Sequence, residues 1–245
     1  MAIEKFDITL KNRYEIAPNV MHFSFVRSDQ QVFPYIPGQF ITILLHDEEQ
    51  NLKRRSYSVA TIGGKAKEIE IVASYVDGGI ASERLFHLKN GDTLHAMGPA
   101  GRLILPEEDS VKRYILVGTG TGIAPYRSML PVIEEKAQAG IEFVILQGVQ
   151  YRNHLLYAQD FLSAQAANNH IKFYAHLSRQ NADDLQSHER NSYVQLGFKD
   201  LELNPETDCI YLCGNPKMID DSFMMLTEMG FATSSIKREK YISSN

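Results

Sequence analysis

The sequence predicts two domains of different class: an all-β N-terminal half, barrel or sandwich, and a C-terminal α/β half whose parallel sheet carries helices on both faces. Three observations lead there. Up to Met97 the chain runs in short alternating apolar and polar segments parted by turn residues. After the polar stretch Pro106-Glu107-Glu108-Asp109-Ser110 the rhythm changes to strands alternating with helices. At the head of that second half a hydrophobic strand, Tyr114 to Val117, runs straight into Gly118, Gly120 and Gly122. The polar stretch reads as a linker and sets domains of 1–108 and 109–245.

In the first half the expected strands are Val20 to Val26, Gln39 to Leu45, Ser56 to Thr61, Ile69 to Val76 and Asp92 to Met97. β-Branched and aromatic residues fill them, and Pro37-Gly38, Gly63-Gly64 and Asn90-Gly91-Asp92 supply the turns. One helix is expected, Ile80 to Leu88. In the second half a strand at 114–118 precedes a helix at 125–139, closed by Gly140 as a C-cap. Pro131 should kink that helix or mark its restart. A strand at 142–147, a helix at 158–167, strands at 171–177 and 209–213 and a helix at 216–229 complete the half.

Composition narrows the function classes. Hydrophobic content of 44% with 22% charged residues is that of a globular protein with a sizeable core. A net charge of −5 supplies no global basic field for nucleic acid or an anionic membrane. The first residues lack the apolar run of a signal peptide, and no apolar run suffices to span a bilayer, so the expected location is the cytoplasm. The two cysteines, Cys209 and Cys213, fit a reducing compartment and are too few for an iron–sulfur cluster. The histidines show no metal-ligand spacing, and no metal is expected.

The glycine-rich turn carries the first chemistry. Glycine lets the backbone turn tightly and approach a ligand closely, and the helix behind it offers unpaired N–H groups to a diphosphate. Pro125 suits the first turn of that helix. Around this turn stand further short motifs: Arg55-Ser56-Tyr57-Ser58, Gly79-Ile80-Ala81-Ser82, Gly98 to Gly101, Ser178-Arg179, Tyr193-Val194-Gln195, Cys213 to Pro216 and Glu239-Lys240-Tyr241. Singly each is weak.

In this order and spacing, R-x-Y-S, G-x-x-S, G-P-x-G, G-T-G-x-G-x-A-P, S-R, Y-x-Q, C-G-N-P and E-x-Y resemble the ferredoxin/flavodoxin–NADP reductase family of bacterial type. The resemblance runs from about Arg13 to Tyr241. It implies an N-terminal antiparallel β-barrel that binds FAD and a C-terminal α/β domain that binds NADP(H). It also implies the residue roles. Arg55 pairs with the flavin diphosphate, Tyr57 stacks on the flavin ring, and Ser58 hydrogen-bonds near flavin N5. Ala73, Gly79, Ala81 and Ser82 join the FAD site. Thr119, Gly120, Thr121 and Gly122 approach the NADP pyrophosphate. Ser178, Arg179 and Arg190 receive the 2′-phosphate while Tyr193 stacks on adenine. Cys213 lies beside the nicotinamide, Glu239 positions it or supplies a proton, and Tyr241 covers the other flavin face. Family members of plant type end on that aromatic residue, whereas here Ile242 to Asn245 follow it.

The implied activity is transfer of hydride from NADPH to bound FAD, followed by release of single electrons to a separate acceptor. Ferredoxin or flavodoxin, both acidic, is the expected partner, with Lys53, Arg54, Arg55, Lys65 and Lys67 as a local basic dock and the enzyme a monomer. The alternatives within the same fold are an NAD(P)H-dependent flavin or ferric reductase and the separate reductase component of an oxygenase. A binding subunit without turnover is the alternative of another class.

Overall fold

The computed structural model describes residues 3–63 and 65–241, with backbone alone at 65 and 66. Its first strand, β1 (Glu4–Ala17), is one that alternation did not announce. Phe6, Ile8 and Leu10 alternate inward, but register shifts at Leu10/Asn12 and Glu15/Ala17 break the period beyond them. There follow β2 (Val20–Arg27), β3 (Phe33–Pro34), β4 (Phe40–His46), β5 (Leu52–Ser58), β6 (Lys65–Ala66), β7 (Glu68–Ser74), helix α1 (Ile80–Phe86) and β8 (Thr93–Ala100). Six of these strands form one antiparallel sheet in the order β5-β4-β8-β1-β2-β7.

The sheet curls so that its outer strands meet. Past β5, the Ala60 N–H donates to the Glu70 carbonyl at 2.7 Å, and the Glu70 N–H donates to Thr61 Oγ1 at 2.7 Å. The inward faces fill a core of Ile8, Phe23, Phe25, Ile41, Ile43 and Ile71, capped by Leu85 of α1. Each such side chain contributes about 1.5–3 kcal/mol by leaving water.

The second unit begins at Pro106. It holds β9 (Arg113–Thr119), α3 (Leu130–Gln138), β10 (Glu142–Val149), α4 (Ala158–Ala167), β11 (Ile171–Leu177), β12 (Glu189–Arg190), β13 (Asp208–Gly214), α5 (Pro216–Glu228) and β14 (Ile236–Lys240). The sheet order is β12-β11-β10-β9-β13-β14, parallel throughout. Helices lie on both faces, as expected. On one, Met218, Ile219 and Leu226 of α5 pack against Ile115, Val117, Ile210 and Leu212. On the other, Phe161 of α4 stacks on Phe173 of β11 with ring centroids 5.4 Å apart.

The helix expected at 125–139 is two helices, α2 (Ala124–Ser128) and then α3. Pro131 takes the second position of α3, where its missing N–H leaves no bond unmade, so proline marks a restart. Residues Ala124–Met129 count with the first unit. Arg127 holds them there, donating to the Ala60 carbonyl at 2.8 Å and to the Glu70 carboxylate at 2.6 Å. With His22 and then Arg127 facing it, the Glu70 carboxyl is held at about 2 despite its burial. Among the described residues, no helix is long and apolar enough to cross a membrane.

Candidate active site

In the first unit the expected residues fall on β5 and around α1. Strand alternation places Arg55 and Tyr57 on one face of β5 and Ser58 on the other. Tyr57 is half-buried against the barrel core, and burial pushes its phenol up to about 12, with Arg55 acting in the opposite sense. A neutral, half-sheltered ring beside a guanidinium suits an aromatic ring stacked over it and an anionic group close by. Ser58 is buried at the end of β5, opposite Phe40 of β4. Ala73 is buried on β7 opposite Met21.

Gly79 is the N-cap of α1, and Ala81 and Ser82 are buried in its first turn. The Ser82 hydroxyl proton faces two carbonyls, Val76 at 2.7 Å and Gly79 at 2.9 Å. It closes the turn ahead of the helix, which leaves the first-turn N–H groups as what this segment offers a phosphate. No spacing rule in the sequence distinguishes that engaged hydroxyl from an outward one.

In the second unit the expected residues gather along one edge of the sheet. In a parallel α/β sheet ligands bind beyond the carboxyl ends of the strands, at the point where the strand order reverses. Here that point lies between β9 and β13, and the register sets Gly118 opposite Cys213. The carboxyl ends of β10, β11, β12 and β14 bring Gly148, Ser178, Arg190 and Glu239 to the same edge.

Between β9 and α2 the chain makes a tight 3-10 turn, Gly120–Ile123. A Cβ at Gly122 would lie 2.7 Å from the Gly214 Cα, so only glycine lets this turn rest on the end of β13. Gly120 has φ +53° and nothing within 4 Å of where its Cβ would stand. This is a backbone cradle with an open side, and it fits a dinucleotide diphosphate. Thr119 and Thr121 flank it, both half-buried. Thr119 Oγ1 accepts the Asn215 N–H at 2.9 Å. The Asn215 side chain in turn accepts the Lys217 N–H at 2.9 Å and caps α5, with Pro216 directly behind it. Asparagine before proline at a strand-to-helix junction is a readable N-cap signal, and this residue belongs among the site's supports.

Cys213, Glu239 and Tyr241 come together at the switch point. Cys213 pairs with Glu239 in the β13–β14 register, and the Tyr241 N–H donates to the Gly214 carbonyl at 2.8 Å. Complete burial pushes the Cys213 thiol well up, the Glu239 carboxylate adds to this, and a hydrogen bond with Tyr241 opposes it. The sulfur is therefore a neutral, compact packing group and not a nucleophile. Glu239 and Tyr241 are half-buried. The tail Ile242 to Asn245 lies outside the described residues.

The residues expected at the adenosine end of the nucleotide follow at the other end of the same edge. Ser178 is half-buried, with its N–H donating to the Val149 carbonyl at 3.0 Å; Arg179 is exposed, its N–H donating to the Gln150 carbonyl at 2.9 Å. Arg190 donates to the Ser187 and Glu189 carbonyls, both at 2.8 Å, and lies 5.0 Å over the Tyr174 ring. Tyr193, 66% exposed, presents a free face for stacking. His176, opposite Arg190 in register, is pushed down to about 4 by burial and then by Arg190, so it stays neutral beside the site. Sequence reading passed over His176, since nothing local separates a buried histidine from an exposed one.

The donor sets thus suit the two expected cofactors: a guanidinium, a sheltered phenol and a helix start in the first unit, and a glycine cradle with two arginines in the second. The comparisons with known proteins agree. Residues 7–104 match the model of the oxidoreductase FAD-binding domain, and residues 116–223 that of the oxidoreductase NAD-binding domain. Ferredoxin–NADP reductase B of Sorangium cellulosum is 28% identical over 222 residues, 88% of each chain. The electron transfer component of toluate 1,2-dioxygenase from Pseudomonas putida is 26% identical over 98% of this chain and 68% of its own. The crystal structure of a ferredoxin NADP+ reductase from Neisseria gonorrhoeae with bound FAD and NADP superposes with a TM-score of 0.83 at 22% identity, over 97% of this chain and 99% of that one.

Proposed function

The chain belongs to the ferredoxin–NADP reductase family, and on that premise we propose that it is an NADPH-dependent FAD enzyme supplying electrons singly to ferredoxin or flavodoxin. It is a flavoprotein oxidoreductase of FAD and NAD(P)(H); the acceptor, the preference for NADPH and the residue roles are the proposal. The observation that carries it is the group Cys213, Glu239 and Tyr241 closed around one buried sulfur beside the glycine cradle.

FAD, when bound, accepts a hydride from the nicotinamide and gives up its electrons one at a time. Residues 1–108 hold that cofactor in this reading and residues 109–245 the nucleotide. Arg55 and the start of α1 bind the flavin phosphates. Tyr57 fixes the plane of the ring, and Ser58 holds a hydrogen bond near its reacting nitrogen. The cradle of Thr119, Gly120, Thr121 and Gly122 fixes the nucleotide diphosphate. Cys213, by its size, would set where the nicotinamide rests on this edge, and Glu239 and Tyr241 would orient it. These are contributions of proximity and orientation, with water kept out.

For the acceptor, support comes from basic groups around β5. Arg54 is exposed, as is Lys67, while Lys53 is tied to Asp47 at 3.1 Å. The Lys65 side chain lies outside the described residues. Exposed cations of this kind steer an acidic carrier, and the effect fades with salt. In this reading the enzyme works as a cytoplasmic monomer. The test is steady-state reduction of ferredoxin, flavodoxin and free FMN by the NADPH-fed holoenzyme at rising ionic strength. The proposal expects the protein carriers to be preferred and their rates to fall with salt. Preference for free FMN, with no salt dependence, would overturn it. The oxygenase-reductase reading is favoured by a relative of that kind matching 98% of this chain, and in the same assay it expects neither carrier to be reduced well.

A further inference from the structure

Arg152 stands outside every motif read from the sequence, yet it ties together the segments that carry Arg179 and Arg190. Its side chain makes a two-pronged bond to Glu189, from Nε to Oε1 at 2.7 Å and from Nη2 to Oε2 at 2.6 Å. Glu189 precedes Arg190 in β12, and its carboxylate is wholly buried. Nη1 reaches the Asp184 carboxylate at 3.2 Å, and Nη2 also donates to the Asp184 carbonyl. On the backbone, the Arg152 N–H donates to the side-chain oxygen of Gln180, the residue after Arg179, at 3.2 Å. Gln180 also donates to Asp184 at 3.3 Å. One guanidinium therefore faces two carboxylates on the loop that joins the two candidate 2′-phosphate ligands.

A phosphomonoester dianion placed near Arg179 and Arg190 meets the field of those carboxylates as well. With Arg152 in place they are paired, and the two arginines face the phosphate. Without it, two arginines are offset by two carboxylates. We infer that Arg152 is a specificity-determining positioning residue: it neutralises Glu189 and Asp184 beside the 2′-phosphate site and fixes the loop that presents Arg179 and Arg190. The inference rests on the NADP(H) reading of this edge. Its reach is the phosphate that distinguishes NADPH from NADH, because the side chains that Arg152 bonds, Gln180, Asp184 and Glu189, include none assigned to the adenine or the diphosphate.

The test is calorimetric binding of two probes, 2′-phospho-AMP and 5′-AMP, to the FAD-loaded protein and its variants, with melting temperatures recorded alongside. Arg152→Ala is expected to weaken 2′-phospho-AMP by about tenfold or more while 5′-AMP stays within about twofold. Arg152→Lys restores the charge without the planar fork and should recover part of the loss. Glu189→Gln gives the sharper sign. It removes a negative charge and keeps the side chain's shape, so 2′-phospho-AMP should bind as tightly as to wild type or more tightly. Equal weakening of both probes by Arg152→Ala, or weakening of 2′-phospho-AMP by Glu189→Gln, would mean that the cluster is only scaffold. Wild-type protein that binds both probes alike would overturn the NADP(H) reading and this inference together, whereas discrimination that survives Arg152→Ala overturns the inference alone.

Discussion

Asp208→Asn separates the scaffold of the nucleotide unit from its site. Asp208 begins β13, opposite Arg113 at the start of β9, and is 2% exposed. Its carboxylate accepts Arg113 Nε at 3.1 Å, Arg113 Nη2 at 2.6 Å and the Asn204 N–H at 2.8 Å. The amide of asparagine offers one acceptor where the carboxylate offers two, and it leaves the guanidinium without a counter-charge. Breaking one side of a buried ion pair costs about 3–5 kcal/mol. The Arg113 side chain keeps 19% of its exposure, so water takes up part of its charge and the low end, about 3 kcal/mol, applies. For a chain of this size that lowers the melting temperature by about 6–12 °C, as read by circular dichroism. Replacing both partners by apolar residues, Arg113→Met with Asp208→Leu, should return most of the loss. Asp208 and Gly214 lie at opposite ends of one strand, about 20 Å apart at ~3.3 Å per residue, so NADPH binding should stay within about twofold. A melting temperature lowered by less than about 2 °C, or nucleotide affinity falling in step with stability, would refute this division of labour.

Arg179→Ala should raise the KM for NADPH by about tenfold and leave that for NADH within about twofold, the low end of a charge-assisted bond because Arg179 is exposed; equal losses with both nucleotides would count against a 2′-phosphate role. Cys213→Ala and Ser58→Ala should each slow flavin reduction at saturating NADPH by about tenfold in stopped flow, a barrier change of about 1.4 kcal/mol, with Kd little altered; a change in Kd alone would remove that residue from the alignment of the rings. His176 titrates at about 4 in the folded chain and near 6.5 unfolded, so between these values the unfolded state binds more protons. Stability should therefore fall by up to about 3 kcal/mol as pH drops from about 6.5 to about 4, and His176→Gln should flatten that slope in pH-dependent melting. Glu70, held at about 2 against an ordinary 4.5, adds a separate loss as pH falls from about 4.5 to 2; Glu70→Gln should remove it.

Much of this was legible because the cofactor-facing chemistry is local. The cradle at Gly118 to Gly122 is a strand-to-helix junction, and its glycines are adjacent in sequence to what they shape. The C-G-N-P segment is readable for the same reason. Cys213, Glu239 and Tyr241 were named by the family resemblance alone, because β14, with Glu239 in it, has no apolar alternation to betray it. What stayed hidden was set by partners far off in the chain. Arg152 meets Glu189 across 37 residues; the Ser82 hydroxyl is the local exception, turned back on Val76 and Gly79 just before it, where no spacing rule separates it from an outward one. The strand β1 was obscured by its own bulges, whereas the break between α2 and α3 was announced by Pro131, which left only kink or restart to choose between.

The most direct test of the central claim is an anaerobic titration of the purified holoprotein with NADPH and, separately, with NADH, followed through the flavin absorbance band near ~450 nm. Rapid bleaching by NADPH with a much slower response to NADH is the predicted result. Bound flavin that neither nucleotide reduces, or a protein that holds no flavin, would contradict it.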